Sequence, residues 1–372
     1  MRSLPDFRLE VYLGRWEFEA RHHLTASDAE TVSVAEVLGP EGMEALAGLP
    51  LSYTTTWGSE PLRAAIAATY DDVAPEDVLV FAGAEEAMFW GMQELAGPGE
   101  HAIVTVPNYQ AMESVQVAGG ADVSGLALDP ERGWALDLEA LEALLRPETR
   151  LVAVNFPNNP TGALPDPATW AALCALCAER GIRLFSDEVY RGLEPAGTPP
   201  LAQAADLAVD FVSMGVMSKA YGLPGLRIGW LASRDRALLE RLERRKHYTS
   251  ICSAGPSELI AAAALRRGAE LRARNRAIID ANLPVFEAFF AEREALFAWE
   301  APQAGCVCFP RYLGADGVEA FCRALVEQAG VVLLPASIYA SALAPVPADR
   351  FRIGVGRRDP EPALAALDAY LG

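Results

Sequence analysis

The chain has 372 residues, 51% of them hydrophobic, and a formal net charge of -19. That length and apolar content suit a large buried core divided over two domains. The acidic balance argues against nucleic acid as a partner, because phosphate backbones need a basic surface. The N-terminus, Met1-Arg2-Ser3-Leu4-Pro5-Asp6, holds no apolar core of signal-peptide length, and no later apolar run is long enough to span a membrane. A cytoplasmic protein with no membrane partner is expected, with its six cysteines reduced. Cys174 and Cys177 form a C-x-x-C inside a helical pattern, and Cys306 and Cys308 alternate along an apolar strand. All four read as small buried apolar residues. The four histidines, His22, His23, His101 and His247, have no metal-site spacing with the cysteines, so no metal is expected.

Residues 1 to about 40 read as irregular at first, followed by a short helix around Val32 to Leu38. Ser27-Asp28-Ala29-Glu30 fits a capping box in front of that helix, with Ser27 capping and Glu30 reaching back. Leu51 to Arg63 reads as a loop, through Tyr53 and Gly58, into an Ala-rich helix with Pro61 in its first turn. Val78-Leu79-Val80-Phe81 reads as a buried strand. Ala82-Gly83-Ala84-Glu85 follows and opens a helix through Met92. A glycine turn there sets free backbone N–H groups at a positive helix end, which suits a phosphate. The strand Ala102 to Val106 ends at Pro107-Asn108-Tyr109. The strand Leu151 to Phe156 runs into Pro157-Asn158-Asn159-Pro160-Thr161-Gly162, which is turn chemistry on any reading. The Asn159–Pro160 bond is a candidate cis peptide. Ile182 to Ser186 is the next strand, ending in Asp187-Glu188-Val189-Tyr190. A carboxylate at the end of a buried strand is costly unless paired, so Asp187 needs a cationic partner.

These strands alternate with helices, which predicts a mainly parallel sheet with helices on both faces. The polar residues just described sit at or after strand ends, where open α/β sheets bind ligands. The chain holds two lysines, Lys219 and Lys246, and every other basic residue except histidine is arginine. Lys219 follows the apolar run Phe211 to Met217 in Ser218-Lys219-Ala220-Tyr221-Gly222, and Arg227 comes eight residues later, before the short strand Ile228 to Ala232. Arginine holds its proton too tightly to act as an amine nucleophile, whereas a desolvated lysine can lose its charge and form a Schiff base. Further on, Arg272 to Arg293 has helical composition, with Pro284 expected to bend or break it. Gly305 to Phe309, Val331 to Leu334 and Phe351 to Val355 read as strands.

The Ser-Lys loop, the glycine turn and the Gly-x-Arg-x-Gly string around Arg227 resemble the fold-type I, pyridoxal-phosphate-dependent aminotransferases of class I and II. The resemblance covers nearly the whole chain and is weakest before Leu51. It implies an α/β large domain and a smaller α+β domain built from the N- and C-terminal parts. The expected division is an N-terminal segment over 1–45 packing with the small domain, a large cofactor-binding domain over 46–283, and the small C-terminal domain over 284–372. The implied cofactor is pyridoxal 5'-phosphate, held as a Schiff base on Lys219. Its phosphate would be gripped by Arg227, Ser218 and the backbone of Gly83, Ala84 and Glu85. Tyr109 would stack on its ring, Asp187 would bind the ring nitrogen, and Asn159 and Tyr190 would bond its phenolic oxygen. Tyr53 falls in a Tyr-x4-Gly-x3-Leu-Arg pattern whose tyrosine reaches the partner's phosphate, implying a homodimer. Many relatives carry Ser or Thr three residues before the lysine; here Val216 stands there, and Ser218 or Ser213 is the substitute.

Phe351-Arg352-Ile353-Gly354-Val355 resembles the family's arginine-bearing strand, so Arg352 would fork onto the substrate's α-carboxylate. Arg350, Arg357 and Arg358 lie close enough that this choice rests on register. The resemblance implies amino-group exchange between an amino acid and a 2-keto acid. The same residues also serve lyase and cyclase chemistry on other members of the fold. The Ser27 to Glu30 segment and Tyr248-Thr249-Ser250-Ile251-Cys252-Ser253 resemble relatives of capreomycidine synthase, which cyclises an arginine derivative. A non-enzymatic sensor of the cofactor or of an amino acid is the remaining class, with no basic DNA-binding segment to support it. The acidic N-terminal residues Glu17, Glu19, Asp28 and Glu30 favour a neutral or basic substrate side chain by charge complementarity. Arg21 and Arg245 are the cations available for a second carboxylate.

Overall fold

The computed structural model describes residues 3–372. Met1 and Arg2, which open the N-terminal hexapeptide, lie outside the described residues. Residues 3–7 are irregular, as expected, but a helix not foreseen in the sequence follows, α1 (Arg8–Trp16), and then β1 (His22–His23) and α2 (Val34–Ala47). The capping box lies six residues later than the sequence suggests. Ser33 accepts from the Glu36 N–H and the Glu36 carboxylate accepts from the Ser33 N–H, while Ser27 caps nothing. Both stretches read S-x-x-E; only Ser33 is followed directly by helical backbone.

The large sheet is built from β2 (Val78–Phe81), β3 (His101–Val106), β4 (Asp122–Ala127), β5 (Thr149–Asn155), β6 (Arg183–Asp187), β7 (Val212–Val216) and β8 (Gly229–Ala232). Their order is β2-β8-β7-β6-β5-β3-β4. Strands β7, β6, β5, β3 and β4 run parallel, and β8 is antiparallel to both β2 and β7. The inner strands are apolar runs buried along almost their whole length, because helices cover both faces. Strand β4 has no such run. Its sequence, Asp122-Val-Ser-Gly-Leu-Ala, is mostly half-exposed at the sheet edge, so no apolar pattern marks it.

Helices α3 (Glu60–Ala67) and α4 (Ala84–Leu95) flank β2 in sequence. The helix Gly268–Ala291 continues past Pro284, which does not end it. Past the proline, Phe286 and Phe290 are buried, and Phe290 stacks on Trp299 with ring centroids 4.8 Å apart. That aromatic packing holds the last turns against the loss of one N–H.

The C-terminal strands are shorter than the apolar runs suggest. They are β9 (Phe297–Ala298), β10 (Val307–Cys308), β11 (Arg311–Tyr312), β12 (Val331–Val332), β13 (Leu334–Pro335) and β14 (Phe351–Gly354). Strand β14 lies between β10 and β13, and β9 pairs with β11. Strand β1 pairs with β12, which ties the N-terminal segment to the C-terminal part. All six cysteines are unpaired; Cys174 and Cys177 are buried on the helix Pro167–Arg180, and burial pushes both thiols up to about 12. Among the described residues no group of histidine, cysteine and carboxylate side chains could hold a metal, and no helix is long and apolar enough to cross a membrane.

Candidate active site

A cavity of about 830 Å³ opens at the C-terminal ends of the parallel strands. Each strand delivers its residue through a short turn. Strand β6 ends on Asp187, and β5 ends on Asn155 and leads to Asn159. Strand β7 ends on Val216, two residues before Ser218-Lys219. After β3 the chain turns at Pro107 to place Tyr109. Asp187, Asn159, Tyr109, Tyr190, Ser218, Lys219, Arg227 and Arg352 all line the cavity, as do Ala84 and Glu85. The Asn159–Pro160 bond is cis, as are Val106–Pro107 and Phe156–Pro157.

One end of the cavity is an anion cradle. Gly83 precedes α4 with φ 90, so the helix's first N–H groups face the opening. The Arg227 guanidinium lies directly over Gly83: a Cβ there would sit 2.5 Å from Nη2. Gly229 is equally constrained, since its Cβ would come 2.5 Å from the Ala84 nitrogen. Arg227 itself holds φ 50, a left-handed conformation that is rare for a side chain of this size. Its Nη1 lies 3.5 Å from the Ser218 hydroxyl. Ser213 is elsewhere, buried with its hydroxyl donating to Glu188 at 2.9 Å, so of the two serines only Ser218 reaches the cradle.

Asp187 is 4% exposed. Its carboxylate accepts one backbone N–H, from Val189 at 3.2 Å, and burial pushes it up to about 7. Asn155 braces the same strand end: its Nδ2 donates to the Asp187 carbonyl at 3.1 Å and its Oδ1 accepts from the Asn159 N–H at 2.7 Å. The Asn159 Oδ1 in turn accepts from Arg352 Nη1 at 3.2 Å and from the Tyr339 hydroxyl at 3.3 Å. With two donors on Oδ1, the Nδ2 is the half of the amide left to donate elsewhere.

Arg352 faces the cavity. It is 2% exposed, and its Nη2 donates to the Thr25 carbonyl at 2.7 Å. Its Nε has no partner. Arg350 points away, donating to the Phe309 carbonyl at 2.8 Å with its guanidinium 4.7 Å from the Trp134 ring centre. Arg357 also lines the cavity, but it is forked onto Asp28 at 2.7 and 3.1 Å. Arg21 donates to the Ala329 carbonyl and Arg245 pairs with Glu94, so neither serves the cavity.

The lysines part company here. Lys219 Nζ donates to the Ser27 hydroxyl at 2.8 Å at the cavity wall. Burial pulls its pKa below the ordinary value; Asp28 opposes that shift and Arg352 adds to it. Lys246 is fully buried, but donates to the Thr56 carbonyl at 2.6 Å and does not line the cavity. Tyr190 donates to the Ser27 carbonyl at 3.0 Å. Tyr109 packs on Phe7, with ring centroids 5.0 Å apart. Tyr53 is 88% exposed and does not line the cavity.

Sequence reasoning passed over the residues that close the cavity from the N-terminal side: Thr25, Ser27 and Asp28 as side-chain partners of Arg352, Lys219 and Arg357. A signal was present. Gly354 and Gly356 alternate just after Arg352, and both face this segment: a Cβ on Gly354 would lie 1.9 Å from the Ala26 carbonyl oxygen, and one on Gly356 would lie 2.7 Å from that of Asp28.

The family model for aminotransferase class I and II matches residues 29–368. Capreomycidine synthase from Streptomyces vinaceus is 31% identical over 100% of this chain and 95% of its own length. A PLP-dependent aminotransferase from Streptococcus suis superposes with a TM-score of 0.91 at 28% identity, covering 99% of this chain and 98% of its own. The PLP-dependent cyclase OrfR superposes with a TM-score of 0.89 at 27% identity, covering 100% and 98%. The residues present fit pyridoxal 5'-phosphate. The glycine-floored cradle under Arg227 suits a phosphate, and the under-partnered buried carboxylate of Asp187 suits a protonated ring nitrogen. The chain therefore belongs to the aminotransferase class I and II family, with the fold-type I architecture and a requirement for pyridoxal 5'-phosphate.

Proposed function

We propose that this enzyme exchanges an amino group between an amino acid and a 2-keto acid, with Lys219 as the catalytic amine. The observation that carries the reading is that Lys219, Asp187 and Arg352 face one cavity while hydrogen-bonded only to neutral groups. Bound there, pyridoxal phosphate supplies an electron sink for the pair left when a bond to the substrate's Cα breaks. Arg227, Ser218 and the N–H groups after Gly83 hold its phosphate. Asp187, Asn159 and Tyr190 orient its ring edge, and Tyr109 covers a face. Arg352 binds the substrate α-carboxylate through its fork, which fixes Cα beside Lys219. Lys219 Nζ, whose pKa desolvation lowers, is the group placed to take the proton from Cα.

The acidic lining favours a neutral or basic donor side chain. Glu10, Glu17, Asp28 and Glu30 face the cavity, while Glu19 does not. The pairing of β1 with β12 supports an N-terminal segment that belongs with a small domain completed by the C-terminal part, from about residue 284 on. The exposed Tyr53, with Leu51 and Tyr248 at 87% and 88% exposure, supports a homodimer that shares its sites; full activity in a monomer contradicts it. Six unpaired cysteines support a cytoplasmic location.

A second reading, a cyclase or lyase, is favoured by the full-length similarity to capreomycidine synthase and to the cyclase OrfR. An amino-acid panel, followed through the cofactor's absorbance, separates the readings. Conversion to the pyridoxamine form with a keto acid as product marks transamination. Turnover that leaves the cofactor's form unchanged marks cyclisation or elimination, the latter with ammonia released. Neutral or basic donors are expected to lead the panel, with Asp28→Asn slowing a basic donor more than alanine. Aspartate or glutamate as the fastest donor contradicts that preference.

A further inference from the structure

Residues 24–31 form a strap without helix or strand between β1 and α2. The strap is nonetheless fixed at every second residue or so. The Gly354 N–H donates to the Leu24 carbonyl at 2.7 Å, and the Glu30 N–H donates to the Gly356 carbonyl at 2.9 Å. Arg274 Nη1 donates to the Glu30 carbonyl at 2.8 Å. Glycine floors the channel on the other side too: a Cβ on Gly222 would lie 2.5 Å from the Glu30 carbonyl oxygen. Thr25 and Asp28 are pinned by Arg352 and Arg357.

Ser27 sits at the centre of this strap. Its carbonyl accepts from the Tyr190 hydroxyl at 3.0 Å and lies 3.5 Å from the Cys306 thiol. With both of those donors on its backbone, Ser27 has little freedom to turn, and its hydroxyl is left aimed at Lys219 Nζ, 2.8 Å away. A hydroxyl serves either protonation state of the amine. It accepts from an ammonium, and by rotating it donates to the lone pair of a neutral amine. Lysine's long stem otherwise leaves its amine free among many rotamers.

We infer that Ser27 is a positioning residue for Lys219: its hydroxyl holds the free ε-amine at the strap side of the cavity. The inference rests on Lys219 being the catalytic amine. Ser27 acts through Lys219 and not on the substrate. It acts by limiting where the lysine's nitrogen can be when a proton leaves Cα, and small misplacements at that step are expensive.

The test uses the full chain with Ser27→Ala and Ser27→Thr. In the cofactor-loaded enzyme, Ser27→Ala is expected to lower kcat about tenfold, the scale of one hydrogen bond to a charged group, with KM within about threefold of wild type. In the same chain stripped of cofactor, acetylation of Lys219 is followed against pH by peptide mass spectrometry. Loss of an acceptor for the ammonium moves the Lys219 midpoint down in Ser27→Ala. Ser27→Thr restores both readouts, and Lys246, bonded to Thr56 instead, keeps its wild-type reactivity in all three proteins. An unchanged Lys219 midpoint with unchanged kcat overturns the inference, and so does a Ser27→Thr protein as impaired as Ser27→Ala. Failure of wild-type Lys219 to bind pyridoxal phosphate is a separate result, which strikes at the catalytic assignment itself.

Discussion

Two walls enclose the cavity, and they are held by different means. The floor hangs from the ends of β3, β5, β6 and β7, each residue on a short turn whose backbone is set by the sheet behind it. The strap over it, residues 24–31, has no ladder of its own. It is held by side chains from distant parts of the chain, Arg352, Arg357, Arg274, Tyr190 and Lys219, and by glycines that let two backbones meet. A floor built this way is rigid and positions a cofactor. A strap built this way is tied to the catalytic groups themselves, so a change in the strap is felt at Lys219 and Arg352 before it is felt in the sheet.

The largest effect belongs to the floor. Asp187→Asn removes the carboxylate proposed to pair with the ring nitrogen and is expected to lower kcat roughly 100- to 1,000-fold, the scale of a lost electrostatic contact in a closed site. The same variant without cofactor becomes more stable at alkaline pH. A carboxyl raised from 3.8 to about 7 binds its proton more tightly folded than unfolded, so the cofactor-free wild type loses stability as pH rises from about 4 to about 7. Asparagine abolishes that loss, up to about 4 kcal/mol at pH 8. Denaturant melts at pH 5 and pH 8 read it directly, and equal stability of variant and wild type at pH 8 contradicts the account. Glu188, also pushed up to about 7 by burial, adds a slope of the same sign that the variant keeps.

A smaller effect comes at the seam between floor and strap, where Arg352 bonds both Asn159 and Thr25. Arg352→Lys keeps the charge and loses the fork. It is expected to cut kcat/KM roughly 10- to 100-fold while pyridoxal phosphate still binds. Loss of cofactor binding in that variant would place Arg352 in the floor and break the distinction.

The same division explains what the sequence made legible. Floor residues announce themselves because each ends or closely follows an apolar run: Gly83 after Phe81, Asp187 after Phe185, Lys219 after Met217. The local string and the local structure coincide there. The strap offers no such coincidence. Ser27 to Glu30 and Ser33 to Glu36 both read as capping boxes, and what assigns them opposite roles is contact with Gly354 and Gly356, more than three hundred residues away. Strand β4 was hidden by its polar edge position, and the persistence of helix past Pro284 by aromatic contacts from Trp299. Arg352 was found in the strand motif, but its separation from Arg350 needed the register of β14 against β10 and β13.

The central claim is that Lys219, of the two lysines, carries the cofactor. Lys246 is buried and Lys219 half-buried, and desolvation lowers the pKa of both, so reactivity alone does not choose between them. Only Lys219 faces the cavity that Asp187 and Arg227 share. Borohydride reduction of the cofactor-loaded enzyme, followed by peptide mapping, decides it. The account predicts the reduced cofactor on the peptide that contains Lys219, and no such adduct in Lys219→Ala. Label on Lys246 would contradict it.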